Sequence, residues 1–527
     1  MGNPLKFSIL TVLALATGCG GYSDGGEASA ESQMDRARQR MRPILTDEGA
    51  LDRAPALQTE AAMSGGPVNL SPSTKLISVN ASNVFEGISE DAFGAAVAIS
   101  GNTVAVGAPD RDDIGGNSGA VYIYVNDSGS WTLEQKLLAK DGALNDNFGF
   151  SLALEGNRLI IGSRRGGGSG APQSGAVYVY ERSGKVWTRT KKLDPANTGF
   201  EDFFGYSVAL YHDYALVGAP QVDGVGGKTG AAFLYQYNGA DWVLLKEFLP
   251  AVGTTNDFFG AAVALLPPTG VFSVTALVAA WDDNEADGEN DGAVYAYVDP
   301  DPNSGQPWGL QAKLTASDQM PGDTFGFSLS TAGQRAFIGA PFRSDKCANS
   351  GAVYVFNRHS GVWCEEAIVT PFDKNAGQLF GYSVAAWDET VAIGSAYDDD
   401  GGDYSGSAYV YSYQGSTWDP QMKFVPDDTA ASQLVGFSVG LEGDVAVAGA
   451  IGDLTNGVNS GSARVFSASG AAPAAPPVVS LVENHDYTGQ CSFHSGSSSR
   501  PSSSWFIGFA ITALGIRRAG RRWKQQP

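Results

Sequence analysis

The chain has 527 residues, 68 of them Gly, and carries 34 Lys+Arg against 56 Asp+Glu for a net charge of −22. Hydrophobic residues make up 43%, too many for a chain disordered throughout. The acidic balance argues against a nucleic-acid partner, which needs a basic surface, and four Cys are too few to staple a fold.

Residues 1–19 read as a secretory signal. Lys6 supplies a basic start, Phe7 to Leu15 is apolar, and Ala16, Thr17, Gly18 and Cys19 follow. That ending resembles a bacterial lipoprotein lipobox, with Ala16 where the pattern usually has Leu, and the resemblance implies diacylation of Cys19. The alternative is an ordinary cleaved signal. Residues 20–69 are polar, Ala-rich and mixed in charge, which suits a flexible tether.

The middle of the chain, about residues 70–468, is one unit written seven times. Phe-Gly pairs begin at Phe93, Phe148, Phe204, Phe259, Phe325 and Phe380, with Val435-Gly436 as a degenerate seventh. The spacings are 55, 56, 55, 66, 55 and 55, and the long one holds insertions near Leu266–Val274 and Asp299–Gln306. Each unit carries four strand-like runs. The first starts at Phe-Gly. The second ends in Gly-Ala-Pro or a variant, as at Val104–Pro109. The third is Ser-Gly-Ala-Val-Tyr-Val-Tyr, as at Ser174–Tyr180. The fourth starts with Trp131, Trp187, Trp242, Trp308, Trp363 or Trp418.

Burial follows from the period of two. In the third run Val121 and Ile123 face one way and Tyr122 and Tyr124 the other, so this strand is covered on both sides. In the fourth, Trp131, Leu133 and Leu137 alternate with Thr132, Glu134 and Lys136, which predicts one buried face. Four antiparallel strands per unit, stacked radially, predict an all-β, seven-bladed β-propeller. The seventh unit lacks its Trp run, and Lys75-Leu76-Ile77 supplies one before Phe93. The N-terminal strand is therefore expected to complete the last blade.

These motifs, recurring in order, resemble the FG-GAP repeat family, the propeller of integrin α-subunits and of many bacterial surface proteins. The resemblance covers the whole middle of the chain and implies a non-catalytic binding head. It also implies calcium loops between strands one and two. Here those connections are tight turns in most blades, such as Ser100-Gly101-Asn102, so no such site carries over.

Residues 469–489 form a Pro/Ala linker. Residues 490–527 hold Cys491, a Ser-rich spacer, an apolar run from Trp505 to Ile516 and then Arg517, Arg518, Arg521, Arg522 and Lys524. This order resembles C-terminal sorting signals of the myxobacterial type, processed near Cys491. A weak membrane anchor is the alternative, because twelve helical residues fall short of the hydrocarbon core. Both readings place the propeller in the bacterial cell envelope, at the cell surface or secreted.

Connections 1–2 and 3–4 share one face of such a disc, and the long, acidic 2–3 and 4–1 loops share the other. A ligand is expected on the long-loop face and at the channel mouth. There Asp283, Glu285, Asp287 and Asp291 space carboxylates around Gly288 in a pattern suited to Ca²⁺, against the reading of a solvated acidic loop. Asp398, Asp400 and Asp403 form a second candidate, and Asp110, Asp112 and Asp113 a third. Asp91, Asp146, Asp202, Asp257 and Asp323 recur two residues before the Phe and are expected to bond the turn backbone. Catalysis is not expected: His212 and His359 fall at short turns, and the Gly runs lack a following helix pattern. Cys347 and Cys364 flank strand three from opposite ends, which argues against a bridge between them. The expected function is an adhesion or binding module for a protein or polysaccharide. The alternatives are a passive envelope spacer and a metal-assisted hydrolase or lyase at the channel mouth.

Overall fold

The computed structural model describes residues 68–69 and 73–468, apart from 79–89, 168–171, 196, 225–226, 251–256, 269–273, 284–290, 300–307, 346 and 456. The signal with Cys19, nearly all of the tether, the linker and the tail with Cys491 lie outside these residues.

Seven antiparallel four-stranded blades follow one another along the chain. Blade one is Ala96–Ser100, Thr103–Ala108, Ala120–Asp127 and Ser130–Leu137. Blade two is Phe148–Glu155, Arg158–Ser163, Ala176–Ser183 and Val186–Leu193, and the plan continues to blade seven. Blade seven has Val435–Glu442, Val445–Ala450 and Ser462–Ser467, and its fourth strand is Thr74–Leu76. Thr74 pairs with Val465 and Leu76 with Ala463. The N-terminal strand thus closes the ring, as expected. Just before it, Val68–Asn69 runs parallel to Lys423 and Phe424 on the outer edge of blade six, a fifth strand that the repeat pattern does not announce.

The core sits between blades, not within them. Each of seven apolar clusters takes side chains from two neighbouring blades. The one at the closure joins Leu76, Val447 and Val465 of blade seven to Phe93, Val106 and Tyr122 of blade one. Tyr122 and Tyr124 face blade seven while Val121 and Ile123 face blade two, so the third strand is buried on both sides.

The three recurrent motifs are the points where backbones of adjacent blades meet. The Phe148 amide donates to the Ser118 carbonyl at 3.1 Å, and equivalent bonds run from Phe93 to Ser460, Phe204 to Ser174, Phe259 to Thr229, Phe325 to Asp291, Phe380 to Ser350 and Val435 to Ser405. A Cβ on Gly119 would lie 2.1 Å from the Phe148 carbonyl oxygen, and one on Gly107 2.1 Å from that of Gly149. Only glycine admits such an approach.

The fourth strand departs from its expected alternation. Ile123 pairs with Gln135 and Tyr124 with Leu133, which leaves Glu134 as a bulge. The extra residue switches the faces, so Trp131 and Leu133 pack toward blade seven and Leu137 toward blade two. The fourth strands of blades two to six shift register in the same way. Cys347 precedes the third strand of blade five, Ala352–His359, and Cys364 lies opposite Asn357 near its other end; neither is a free thiol.

Candidate functional site

The two ends of the ring differ. In blade one, Gly101-Asn102 joins strands one and two and Ser128-Gly129 joins three and four, whereas residues 109–119 and 138–147 connect the strands at the other end. His212 lies in a short turn and His359 ends a third strand beside one, both away from the long loops.

Carboxylates under the long loops of several blades are set against a cation of the same blade. The fullest case is blade six. Lys423, on the fourth strand Trp418–Phe424, places its Nζ 2.5 Å from Asp373, 2.6 Å from Asp398 and 2.5 Å from Asp400. Carboxylate oxygens of the three acids lie within 4.8 Å of one another, close enough for a metal, but the ammonium occupies their centre. Tyr409 donates to Asp373 at 2.8 Å and Asp398 at 3.1 Å, and the ammonium lies 5.0 Å from its ring centroid. Burial works against the charge on Lys423, but Asp398 and Asp373 outweigh it and hold the ammonium above the ordinary lysine range. Of the second candidate set, Asp398 and Asp400 come together here. Asp403 does not: it is exposed, and its backbone carbonyl accepts from the Ser432 amide.

The same construction recurs. In blade four Asp283 is buried and bonded to Tyr295, with Lys313 at 3.4 Å. Asp291 is also buried, and its carbonyl accepts from Phe325 in the next blade. Glu285 and Asp287 lie outside the described residues. In blade seven Asp453 sits 2.7 Å from Lys75 and 3.4 Å from Arg464, which also binds Asp428 at 2.6 Å. In the third set Asp113 meets Lys136 at 2.7 Å and Arg111 at 3.1 Å. Asp318 meets Arg343 at 2.6 Å and accepts from Tyr354 at 2.6 Å.

Two sequence signals mark these clusters and escape a reading of local loops. Asp141, Asp318, Asp373 and Asp428 each stand seven residues before the Phe or its substitute, and Lys136, Lys192, Lys313, Lys423 and Lys75 each stand next to last in a fourth strand.

The acids two before the Phe do bond the turn backbone. Asp146 accepts from Ala143 N at 2.7 Å, Asp202 from Gly199 N at 2.5 Å and Asp323 from Met320 N at 3.2 Å; Gln378 does the same with Asn375 N at 2.6 Å. Asp91 instead takes Arg111 at 2.9 Å.

At the axis, first strands of neighbouring blades pack against one another. The residue two after each Phe projects there, and five of the seven are aromatic: Phe150, Tyr206, Phe327, Tyr382 and Phe437. Ring centroids are 5.1 Å apart for Phe150 and Tyr206, 5.0 Å for Phe327 and Tyr382, and 5.1 Å for Tyr382 and Phe437.

Seven blades closed by the chain's own N-terminal strand, with the long loops at one end in every blade but the fourth, whose 267–274 and 299–308 insertions lie at the other, define a β-propeller with one face elaborated throughout. The chain belongs to the FG-GAP repeat family, which matches residues 86–124, 131–180, 187–235, 308–356, 363–411 and 418–466. Each match beyond the first opens at the fourth strand of one blade and closes at the third strand of the next. No curated protein matches the chain.

Proposed function

We propose that the protein is a non-catalytic binding or adhesion module of the bacterial cell envelope, presenting its long-loop face to a protein or polysaccharide. The observation that supports this most is the division of labour between the two ends of the ring. Outside blade four, chain length is spent on 2–3 and 4–1 loops, and acids beneath them are tied to Lys and Arg of the same blade, which stiffens the platform. A rigid scaffold with elaborated loops at one end is the arrangement binding proteins use. Family membership is consistent with it. The terminal segments, read as signal and sorting tail, would deliver and hold the module at the surface.

The test is saturable binding of the full chain to envelope fragments of the producing cells, together with protease accessibility on intact cells. Binding that loop substitutions weaken and short-turn substitutions spare is the expected result. A chain at the surface that binds nothing saturably leaves only the spacer reading, and a chain that stays inside the cell overturns both.

Calcium enters this reading at one place, the 283–291 loop, whose ends Asp283 and Asp291 are buried. A calcium site there at ~100 times its Kd adds about 2.7 kcal/mol of stability. The expected outcome is a rise in melting temperature in millimolar calcium that Asp283→Ala/Asp287→Ala abolishes. No rise removes calcium from the proposal.

A further inference from the structure

We propose that the axial mouth on the long-loop face is a binding site for a neutral sugar ring, a terminal or protruding residue of a surface polysaccharide. This rests on the binding-module reading and names its site and ligand chemistry.

The mouth is two-sided. On the arc of blades four to six its wall is aromatic. Trp281 stacks on Phe258 at 4.6 Å and 14°, and lies 6.2 Å from Phe327. Tyr382 continues the wall to Tyr397 at 6.1 Å. These rings are half-buried, so each keeps part of its surface accessible. The axial rings form its floor: Phe150 and Tyr206 lie 5.1 Å apart, and Tyr382 lies 5.0 Å from Phe327 and 5.1 Å from Phe437.

On the arc of blades one and two the lining is polar and linked. Asn147 donates to Asp110 at 2.9 Å, and Arg164 donates through Nε to Asn147 at 3.3 Å. One carboxyl, one amide and one guanidinium thus stand beside the aromatic floor. Burial pushes the Asp110 carboxyl up to about 6, against the pull of Arg164.

This lining selects among ligand classes. An aromatic cage alone would favour a cation. Here the polar arc brings its own cations: the Arg164 guanidinium lies 4.1 Å from the Phe150 centroid, and Arg165 lies 5.6 Å from that of Phe203. An incoming Lys or Arg meets like charge. An anion is drawn by Arg164 but repelled by Asp110 and by the negative faces of the rings. A sugar ring carries apolar C–H faces for the aromatic arc and hydroxyls for the polar one, the mix of apolar walls and few placed polar groups that small ligands use.

The experiment probes an array of neutral polysaccharides (glucans, mannans, galactans, N-acetylglucosamine polymers) with the full chain, and in parallel envelope fragments of the producing cells. The variants are Trp281→Ala, Asp110→Asn and, as a control in a short turn at the other end, Lys185→Ala. Saturable binding to at least one neutral polysaccharide is expected, weakened at least tenfold by Trp281→Ala and by Asp110→Asn and unchanged by Lys185→Ala. Asp110→Asn keeps the shape of the side chain, so it reports even if Trp281→Ala unfolds. Envelope binding that persists in both variants overturns this site and leaves the binding module standing. Binding to the envelope that requires Trp281 but is removed by protease and not by glycosidase overturns the sugar assignment. No binding to either probe overturns both readings.

Discussion

Lys423 and Asp398 face each other at 2.6 Å with side chains 1% and 0% exposed, a fully buried ion pair inside the sixth blade. With Asp373 and Tyr409 around it, the ammonium holds the start of one 2–3 loop and the preceding 4–1 loop to the sheet. The charge is supplied covalently by the fourth strand, so this blade's loops need no diffusible ion to stay together.

Lys423→Met is therefore expected to cost about 3–5 kcal/mol, because it leaves buried carboxylates without a counter-charge. A thermal melt reads it. With the ammonium gone, three carboxylates converge on an open centre, so millimolar calcium is expected to restore part of the loss in Lys423→Met. Chelator is expected to leave blade six of the native chain unmoved.

Removing residues 1–78 is expected to open the ring. Leu76 leaves the apolar cluster between blades seven and one, and Asp453 loses Lys75. The bare edge of Ser462–Ser467 then offers unpaired backbone to other molecules. Size-exclusion chromatography is expected to show association and a broad, early melt, while removal of residues 1–66 alone leaves the melt sharp.

Gly119→Ala and Gly129→Ala separate crowding from backbone preference. Both glycines have positive φ, +86° and +92°. A Cβ at Gly129 meets nothing within 4 Å, whereas at Gly119 it strikes the Phe148 backbone. The expected cost is about 1–2 kcal/mol at Gly129 and about 2–5 kcal/mol at Gly119, read by urea unfolding.

Mild acid is expected to stabilise the propeller. Burial pushes Asp323, Asp282 and Asp110 up to about 6. A raised folded-state value contributes stability that is complete below the unfolded value of about 3.9 and lost as pH rises through about 6. For the buried Asp323 this is at most about 3 kcal/mol. Asp453 runs the other way. Burial raises it, but hydrogen bonds from Lys75, Thr455 and Ser462 outweigh that and hold it at about 2, so its contribution is lost as pH falls toward 2. The melting temperature is expected to be higher at pH 5 than at pH 7.5 and to fall again below about pH 3.5. Asp323→Asn is expected to shrink the gain between pH 7.5 and pH 5.

What was legible in the sequence were the places where backbone meets backbone. Phe-Gly, Gly-Ala-Pro and Ser-Gly recur because each fixes one blade against the next, and a side chain at Gly107 or Gly119 would break that contact in any copy. The missing Trp run of the last unit exposed the closure for the same reason. The bulge at Glu134 left no such mark, since one extra residue in a strand changes neither length nor composition noticeably. The charge clusters were hidden by distance. Asp373 and Lys423 are fifty positions apart and belong to different runs, so reading Asp398, Asp400 and Asp403 as one local loop joined Asp403 to acids it does not meet. The aromatic residues two after each Phe stood in plain sight, but only the ring turns a periodic position into a wall.

The offset between the family's repeat and the blade bears on how such a protein can change size. Because each repeat match beyond the first opens on the fourth strand of one blade and closes on the third strand of the next, the boundaries of these matches fall inside sheets. A duplication or deletion of one whole repeat in the gene would leave every remaining strand with a partner, and the same N-terminal strand would still seal the ring. Blade number can then drift by unequal crossing-over without passing through a protein that has an open edge.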